Sequence, residues 1–451
     1  MRKTTVMLIA LLALVLGGVV APNTPSFAQD GETIVDIAAA NPDFATLVAA
    51  ISAADPAIAE TLSGEGEYTV FAPTNEAFTT TLENLGIAAT DVLADQELLS
   101  TILLYHVVEG EFFAEDVVEL ETAKVPTLEG EEVSIRARSG GVQVNQANVV
   151  ETDIDASNGV IHVIDRVLVP PSVLRSLLAD VELGTEDDPI TLLFIPSENA
   201  QEVQAGADEL AALISEESGF EVEASVATDY AAAIEALCGE EAEIGALNTF
   251  GYILASQRGC ADVGVVSVRF GSTTYAGQII TRADSGITSL EDITTDTVFC
   301  RPDPLSTSGW IVPSIAMRAA GIDVDNLNVV DAGGHDGVVA AVYNGECEAG
   351  ATFVDARGNV EEEYPDVREV VVIIGTSAPI PNDTLSYGTH VPYAMRLLLT
   401  EAILTIADNP EYAELLDAVY NWGGLQLARD AFFDGFREQL DAAGIDIESL
   451  Q

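Results

Sequence analysis

The alternation of apolar and polar positions divides the chain into two blocks with different orders of elements. In the first block, residues 33–170, an early helix at 42–54 and a strand at 68–72 precede further helical segments and then strands. This order predicts a compact α+β unit. From residue 189 onward, strand-length apolar runs alternate with helical segments, which is typical of an α/β fold. The alternation continues for roughly 250 residues, enough for two lobes with a cleft between them.

The boundary between the blocks falls at residues 171–188. Pro170 and Pro171 end the first block, and a short acidic stretch follows them. We expect this segment to link two domains. Beyond it, strands are predicted at 191–195, 221–227, 243–247, 263–269, 275–281, 297–301, 328–331, 349–353 and 369–373. Helical segments fall between most of these strands.

Residues 1–28 have the pattern of a secretory signal peptide. Arg2 and Lys3 precede an apolar run at 6–20, and the small residues Ser26 and Ala28 follow it. The run is too short for a stable membrane span. No cysteine follows it, so we expect no lipid anchor at the new N-terminus. The protein is therefore expected to be exported, to a periplasmic, cell-surface or extracellular location.

Acidic residues dominate the charged positions. The chain has 74 Asp and Glu against 17 Lys and Arg, which gives a formal net charge of −57. This charge argues against binding to nucleic acid or to an anionic membrane surface. Solubility after export and a high-salt environment both favour such an acidic surface.

The four cysteines, Cys238, Cys260, Cys300 and Cys347, all lie in the second block. An even number of cysteines in an exported chain is typical of disulfide bridges. Three pairings are possible. We favour Cys238 with Cys260, which flank one strand-helix unit, and Cys300 with Cys347, which can join neighbouring strands. A metal site is disfavoured, because no CxxC spacing occurs and the four histidines are scattered.

The segment Ser306-Thr307-Ser308-Gly309 is the strongest candidate for binding chemistry. It lies between the predicted strand at 297–301 and a helix predicted at about 309–320. Three hydroxyls and the unpaired N–H groups of a helix start would converge there, which suits a tetrahedral oxyanion. Taken alone, the segment is explained more simply as an ordinary helix cap.

Three segments of the first block resemble the signature motifs of fasciclin (FAS1) domains. They are YTVFAPTNEAF at 68–78, LYHV at 104–107 and NGVIHVIDRVL at 158–168, and they occur in the family's order. The resemblance implies an α+β fasciclin domain over 33–170 that attaches to a cell-surface or matrix component. Tyr105 and His106 are either an adhesive epitope or buried structural residues, and we favour a satisfied, partly buried histidine.

Six segments of the second block resemble the phosphate, phosphite and phosphonate substrate-binding proteins of ABC importers. They are ATDY at 227–230, EIGA at 243–246, YAGQII at 275–280, STSGW at 306–310, GHD at 334–336 and NGECEAGA at 344–351. The resemblance implies a bilobal α/β fold of the type II periplasmic-binding-protein class over 189–451. It also implies a small phosphorus oxyanion as ligand and an ABC permease as partner.

Carried over residue by residue, the resemblance implies seven ligand-binding residues. Ser306, Thr307 and Ser308 would grip the oxyanion, and His335 would donate from another helix start. Tyr230 and Tyr252 would donate phenolic hydrogen bonds from the opposite lobe, and the seventh residue is Asp355. The turn before Tyr252 differs from the Gly-Pro that is common in the family, since this chain has Asn248-Thr249-Phe250-Gly251 there.

Asp355 has two interpretations, which we weight equally. Its carboxylate either contacts the ligand or caps the helix that follows it. In contact with a ligand, it would accept a proton from a phosphate or phosphonate, which would exclude sulfate, or pair with an amine on a larger ligand. Arg269, Arg301 and Arg357 are the nearest cationic candidates along the sequence. We interpret each of them as a member of a structural ion pair.

Together these patterns favour a non-enzymatic, exported substrate-binding component of an ABC importer, with a fasciclin domain for attachment. No cofactor is implied. The alternative is an adhesive, structural or sensory cell-surface protein whose binding domain feeds no transporter. A hydrolase is disfavoured, because the sequence has neither paired His and carboxylate motifs for metals nor a G-x-S-x-G nucleophile turn.

Overall fold

The computed structural model describes residues 31–120, 122–138, 141–198 and 200–445. The predicted signal peptide lies outside these residues. No single helix in the described ranges is long and apolar enough to cross a membrane. The bent pair Ile34–Ala40 and Pro42–Ala53 passes the same test by length and composition.

The first domain has the predicted α+β architecture. Its strands form one seven-stranded sheet in the order β2-β1-β7-β6-β5-β4-β3, in which β1 and β7 pair in parallel and the other neighbours are antiparallel. The strands are β1 Tyr68–Pro73, β2 Val107–Glu109, β3 Thr122–Pro126, β4 Glu132–Arg138, β5 Gly141–Val144, β6 Ala147–Ala156 and β7 Gly159–Ile164. The helices are α1 Ile34–Ala40, α2 Ala45–Ala53, α3 Pro56–Ser63, α4 Asn75–Leu85, α5 Ala89–Ala94, α6 Gln96–Tyr105 and α7 Ala114–Leu120, with a 3-10 turn at Pro42–Phe44.

Tyr105 and His106 are buried in this domain, so neither forms a surface epitope. Tyr105 is fully buried and donates its hydroxyl to the Glu132 carbonyl at 2.9 Å. His106 Nδ1 donates to the Ile102 carbonyl at 2.7 Å, and its Nε2 accepts from the Leu168 N–H at 2.9 Å. Burial lowers the pKa of His106 to about 4. The interpretation as a satisfied structural histidine is confirmed, and its burial is more complete than predicted.

The second domain contains two sheets, each with helices packed against it. Its strands are β8 Ile190–Phe194, β9 Val222–Val226, β10 Ile244–Leu247, β11 Ala261–Val268, β12 Thr274–Tyr275, β13 Gly277–Arg282, β14 Val298–Arg301, β15 Asn328–Asp331, β16 Ala349–Phe353, β17 Val371–Thr376, β18 Ile380–Pro381, β19 Thr384–Gly388 and β20 Gly424–Leu427. Its helices, preceded by α8 Pro171–Leu177 in the connecting segment, are α9 Ala200–Ser218, α10 Tyr230–Cys238, α11 Thr249–Gln257, α12 Val312–Ala319, α13 His335–Asn344, α14 Val367–Val370, α15 Tyr393–Asp408, α16 Ala413–Tyr420 and α17 Asp434–Ala442.

The two sheets define two lobes. Lobe 1 contains the six-stranded sheet β20-β11-β19-β10-β8-β9, and lobe 2 contains the five-stranded sheet β15-β14-β16-β13-β17. The chain passes from lobe 1 to lobe 2 through β12 and returns through β18. These two short strands pair with each other and form the hinge, Thr274 opposite Pro381 and Tyr275 opposite Ile380. The bilobal architecture is the one that the sequence predicts.

Each of the nine predicted strands of this domain overlaps an observed one. The last begins later than predicted, at Val371, because Val367–Val370 forms a short helix. The sequence missed β18, β19 and β20. Of these, β19 is a fully buried strand between two antiparallel neighbours, so its apolar side chains do not alternate with polar ones in the usual surface pattern.

Both disulfides form within the second domain. Cys238 at the end of α10 is bonded to Cys260 just before β11, with 4.9 Å between their Cα atoms. Cys300 on β14 is bonded to Cys347 just before β16, with a Cα separation of 5.9 Å. This is the pairing that the sequence favours.

A buried arginine joins the two domains. Arg136 on β4 is 1% exposed. Its two Nη atoms donate to the two carboxylate oxygens of Glu401 on α15, at 2.6 and 3.1 Å. Its Nε donates to Asp408, also on α15, at 2.7 Å. Arg138 contacts the same Asp408. Since α15 packs in lobe 1, the first domain is anchored to that lobe.

Replacing Arg136 with alanine should destabilise the protein strongly. The change leaves Glu401 and Asp408 half-buried near each other without this guanidinium, which typically costs about 3–5 kcal/mol. Arg318→Ala is the matched control, because that arginine pairs with Asp325 on an exposed surface and should cost about 1 kcal/mol or less. Urea unfolding of both variants measures the difference. Equal losses of stability would contradict the anchoring role.

Candidate ligand-binding cleft

A small enclosed cavity lies between the lobes and beside the hinge. It has a volume of about 20 Å³ and is lined by side chains from both lobes, most of them polar. Five predicted site residues line it, namely Tyr230, Ser306, Thr307, Ser308 and His335. The lobes are therefore closed around these groups in this structure.

The turn Ser306–Gly309 brings three hydroxyls into the cavity. Ser306 caps the turn, since its Oγ accepts a hydrogen bond from the Gly309 N–H at 3.1 Å. The next residues form a π-helical turn, Thr307–Ile311, before the regular helix begins at Val312. The three hydroxyl side chains are 1–2% exposed. Ser306 therefore caps the turn and also lines the cavity. The two interpretations of this segment, a helix cap and an oxyanion site, are compatible.

Thr307 also holds the two lobes together. Its Oγ1 accepts hydrogen bonds from the Asn248 side-chain amide at 2.8 Å and from the Phe250 N–H at 3.0 Å. Asn248 also donates to the Leu305 carbonyl at 2.8 Å. Both partners of Thr307 belong to the start of α11 in lobe 1. Since both acceptor positions of the hydroxyl are filled, its proton remains to be donated to a ligand.

His335 is the first residue of α13 and is neutral. Burial, helped by the charge of Arg269, lowers its pKa to about 3. The ring lies between two hydroxyls, with Nδ1 2.7 Å from Thr352 Oγ1 and Nε2 3.4 Å from Ser306 Oγ. Protonation on Nε2 lets Thr352 donate to Nδ1 and directs the ring N–H toward the cavity. His335 can therefore supply one neutral donor.

Two tyrosines line the cavity. Tyr230 begins α10 in lobe 1, and burial raises the pKa of its phenol well above the ordinary value. Tyr275 lies on the hinge strand β12, and burial raises its pKa too, against hydrogen bonds from Ser308 and Thr249. Both phenols therefore keep their protons. Tyr275 was not predicted as a site residue.

Arg269 and Asp383 form an ion pair at the edge of the cavity, and both line it. They are 114 residues apart and meet because one precedes β12 and the other follows β18. Arg269 Nε is buried and has no hydrogen-bond partner among the described residues. The prediction of an ion-pair role for Arg269 is confirmed, but the sequence did not predict its place in the cleft.

Glu198 is the other carboxyl group that lines the cavity. Burial raises its pKa to about 7, with Arg269 opposing the rise and Asp336 and Asp383 adding to it. One carboxyl oxygen accepts from the Asn421 amide at 3.2 Å. At neutral pH the group is therefore divided between a carboxylic acid, which donates, and a carboxylate, which accepts.

The structure does not bring Tyr252 to the cavity, contrary to the prediction. Its hydroxyl donates to Asp430 at 2.7 Å, and its ring packs on Phe433 with 4.7 Å between centroids. The residue that caps α11, Asn248, contacts Leu305 and Thr307 of lobe 2. Tyr252, four residues farther along, contacts Asp430 and Phe433, which do not line the cavity.

Asp355 is also turned away from the cavity. It caps the 3-10 turn Ala356–Val360 by accepting from the Arg357 N–H at 3.3 Å. Its carboxylate is bound by the side chains of Arg357, at 2.9 Å, and Arg368. Of the two interpretations left open by the sequence, the structure supports the cap.

Arg357 and Arg301 belong to ion pairs, as predicted. Arg301 donates to Asp331 at 2.6 Å and lies over the Trp310 ring at 4.5 Å. In the described part of the chain, no group of three or more His, Cys, Asp or Glu side chains is arranged to hold a metal ion.

Comparisons with known proteins divide the chain at the same place as the fold does. A family model described as "ABC transporter, phosphonate, periplasmic substrate-binding protein" matches residues 192–433. The fasciclin domain model matches residues 42–170. The match for the second domain covers more than half of the chain.

Individual relatives match one domain each. "Protein sll1483" of Synechocystis sp. is 47% identical over 143 residues, which are 31% of this chain and 74% of that protein. The "Phosphate-import protein PhnD" of Mycolicibacterium smegmatis is 31% identical over 176 residues, 36% of this chain. The chain spans only 54% of that relative.

Among solved structures, a binding-protein component of an ABC phosphonate transporter from Pseudomonas aeruginosa superposes with a TM-score of 0.52. The two chains are 23% identical, and the match covers 55% of this chain and 84% of the other. At this identity the likeness concerns the fold.

Replacing Glu198 with glutamine should remove a pH dependence of stability. Because the folded-state pKa of about 7 lies above the ordinary value of 4.5, the stability that Glu198 contributes is fully present below pH 4.5 and is lost as the pH rises through about 7. The loss is at most roughly 3 kcal/mol. Glutamine has nearly the same size as glutamate and still forms hydrogen bonds, but its amide does not titrate.

Urea unfolding at pH 5 and pH 8 measures this effect. The wild type should lose more stability between the two pH values than Glu198→Gln does. Glu223→Gln, which changes an exposed glutamate of the same lobe, should behave like the wild type. The same pH dependence in Glu198→Gln as in the wild type would show that Glu198 does not titrate in this range.

Proposed function

Because the chain belongs to the family of periplasmic substrate-binding proteins of phosphonate ABC transporters, we propose that it captures a small phosphorus oxyanion in its cleft. The lobes close around the anion by motion at the hinge, and the closed form is delivered to an ABC permease. The protein acts by binding and carries out no reaction on the ligand.

The observation that carries this proposal is the convergence of neutral donors on one closed cavity. Ser306, Thr307 and Ser308 line it from the start of a helix, together with His335 of the same lobe and Tyr230 of lobe 1. Neutral hydroxyl, imidazole and backbone donors bind an oxyanion without a large fixed charge, and the partial positive charge of the helix start adds to them. Charge-assisted hydrogen bonds contribute roughly 1.5–3 kcal/mol each.

The size of the cavity favours small anions. With about 20 Å³ enclosed between the closed lobes, and with Phe353 and Tyr420 among its walls, it has no space for a large organic substituent. Phosphate, phosphite and methylphosphonate are the smallest candidates of matching chemistry. Because about 20 Å³ is little more than one water molecule needs, the lobes must open slightly to admit any of them.

Arg269 supports binding of an anion in a strongly acidic protein. Its unpartnered Nε is a charged donor held beside the cavity, while its other end neutralises Asp383. Surface carboxylates farther away are screened over about 8 Å at physiological ionic strength. Local donors therefore set the affinity, and the net charge of −57 mainly slows capture.

In the sequence analysis, Asp355 was the candidate for accepting a proton from the ligand and thereby excluding sulfate. In the structure, Glu198 is the carboxyl group placed to do this. As a carboxylate, it accepts a hydrogen bond from the O–H group of a protonated phosphate, phosphite or phosphonate. Sulfate has no such proton at neutral pH, so it binds only where Glu198 is in its carboxylic-acid form, and that form becomes scarce as the pH rises above about 7. The cleft therefore selects phosphorus oxyanions over sulfate above pH 7.

The fasciclin domain attaches the binding domain to a cell-surface or matrix component. The domain contacts lobe 1 through the Arg136 ion pairs, and Lys124 lies 3.8 Å from Glu217 of the same lobe. Lobe 2 is then the part that moves during capture, while lobe 1 stays fixed to the attachment.

Replacing Ser306 and Ser308 together with alanine should weaken binding of phosphate, phosphite or methylphosphonate by at least about 100-fold. Two donors to the anion are lost, each contributing roughly 1.5–3 kcal/mol. Calorimetric titration of the ligand-free mature chain measures the affinities, and circular dichroism checks the fold.

Tyr252→Phe is the matched control. It removes a phenol that bonds to Asp430 outside the cavity, so the anion affinity should stay within about twofold of the wild type. An unchanged affinity in the double serine variant, with its fold intact, would refute the proposed site.

A further inference from the structure

A second and much larger cavity lies between the two domains, outside the cleft. Its volume is about 610 Å³, within the roughly 300–1,000 Å³ typical of small-molecule sites. Gln146 and Arg166 line it from the fasciclin domain, and Tyr393 and Arg429 line it from lobe 1. The cavity therefore exists only when the two domains are docked.

Arg166 is unusual in this chain. Among the arginines in the described ranges, only Arg166 and Arg175 have no carboxylate oxygen within 4.0 Å. One Nη of Arg166 donates to the Tyr393 hydroxyl. A guanidinium without a counter-ion inside a cavity is notable in a protein with 74 acidic residues.

Arg429 lies close enough to Arg166 for the two charges to repel each other. Burial lowers the pKa of Arg429, and the charge of Arg166 lowers it further. One Nη of Arg429 contacts both oxygens of Asp165, at 2.9 and 3.0 Å, and the Gln146 carbonyl at 3.3 Å. Its Nε is buried without a partner in the part of the chain that the structure describes. Among the described residues, Asp165 is thus the only carboxylate within 4.0 Å of either guanidinium group, and it contacts Arg429 alone.

The other acidic residues that line the cavity do not supply the missing counter-charge. Asp262 is bound by Arg396 at 2.6 Å, and Asp430 accepts from Tyr252 and pairs with Arg437. Glu83 is exposed at the rim. After these pairs are counted, the charge that remains at the inner wall is the positive charge of Arg166.

The lining also has an apolar portion. Val391, Pro392 and Leu397 line the cavity beside the Tyr393 ring. A bare inorganic ion would leave most of the volume to water, whereas an organic molecule would contact this wall while its anionic group meets the arginines. Guanidinium groups bind carboxylate and phosphate oxygens in a bidentate manner.

We propose that the cavity between the domains binds a small organic polyanion whose carboxylate or phosphate group bridges Arg166 of the fasciclin domain and Arg429 of lobe 1. The ligand contacts both domains, so its binding stabilises their docking. This site is separate from the cleft between the lobes and does not depend on what the cleft binds.

Calorimetric titration of the protein with citrate and, separately, with 3-phosphoglycerate tests this proposal at low ionic strength. At least one of the two probes should bind and raise the thermal unfolding temperature. Citrate binding assigns the site to carboxylates, and binding of 3-phosphoglycerate alone shows that a phosphate group is required. Failure of both probes to bind at millimolar concentrations would overturn the proposal.

Variants locate the binding. Arg166→Gln and, as a second variant, Arg429→Gln should each weaken the bound probe about tenfold or more, since each removes a charged donor. Arg175→Gln is the matched control, because Arg175 also lacks a carboxylate partner but is exposed outside the cavity. Equal affinity in the wild type and in both folded cavity variants would overturn the assignment.

Discussion

The contact of the turn Ser306–Gly309 with the start of α11 is the interaction on which the cleft depends. Thr307 Oγ1 receives two hydrogen bonds from lobe 1, and Ser306 caps the turn that presents it. The same few atoms therefore close the lobes and place hydroxyls where an anion would bind. Closure and binding are coupled through one turn, so an anion that engages these hydroxyls also favours the closed form.

Scarce positive charge is the second constraint. With 17 basic residues in the whole chain, most arginines of the described part are paired with carboxylates. Arg136 uses its charge to dock the domains, and Arg269 uses its charge at the hinge beside the cleft. Arg166 and Arg429 face each other where the domains meet. These few cations therefore lie at the contact between the domains, at the hinge and at the cavity between the domains.

The sequence predicted the parts of the site that are contiguous along the chain. The hydroxyl turn and the residues that begin helices, Tyr230 and His335, were recognisable from local motifs. Arg269 and Asp383 were not, because their pairing across 114 residues arises only when the two hinge segments meet. Tyr252 was predicted to face the ligand from the family resemblance. That prediction failed because a motif fixes the position of a residue along α11 but not the direction of its side chain. Among the missed strands, β19 lies buried between two neighbours, and this burial hides the alternating pattern that marks a surface strand.

The central claim is that the closed cleft selects a phosphorus oxyanion. Its most direct test is a calorimetric titration of the protein, freed of any carried-over ligand, with phosphate and with sulfate in the same buffer at pH 8, where Glu198 is mainly a carboxylate. The account predicts that phosphate binds with one site per chain and that sulfate binds about tenfold more weakly or not at all. Equal binding of the two anions, or binding of neither by the folded protein, would contradict it.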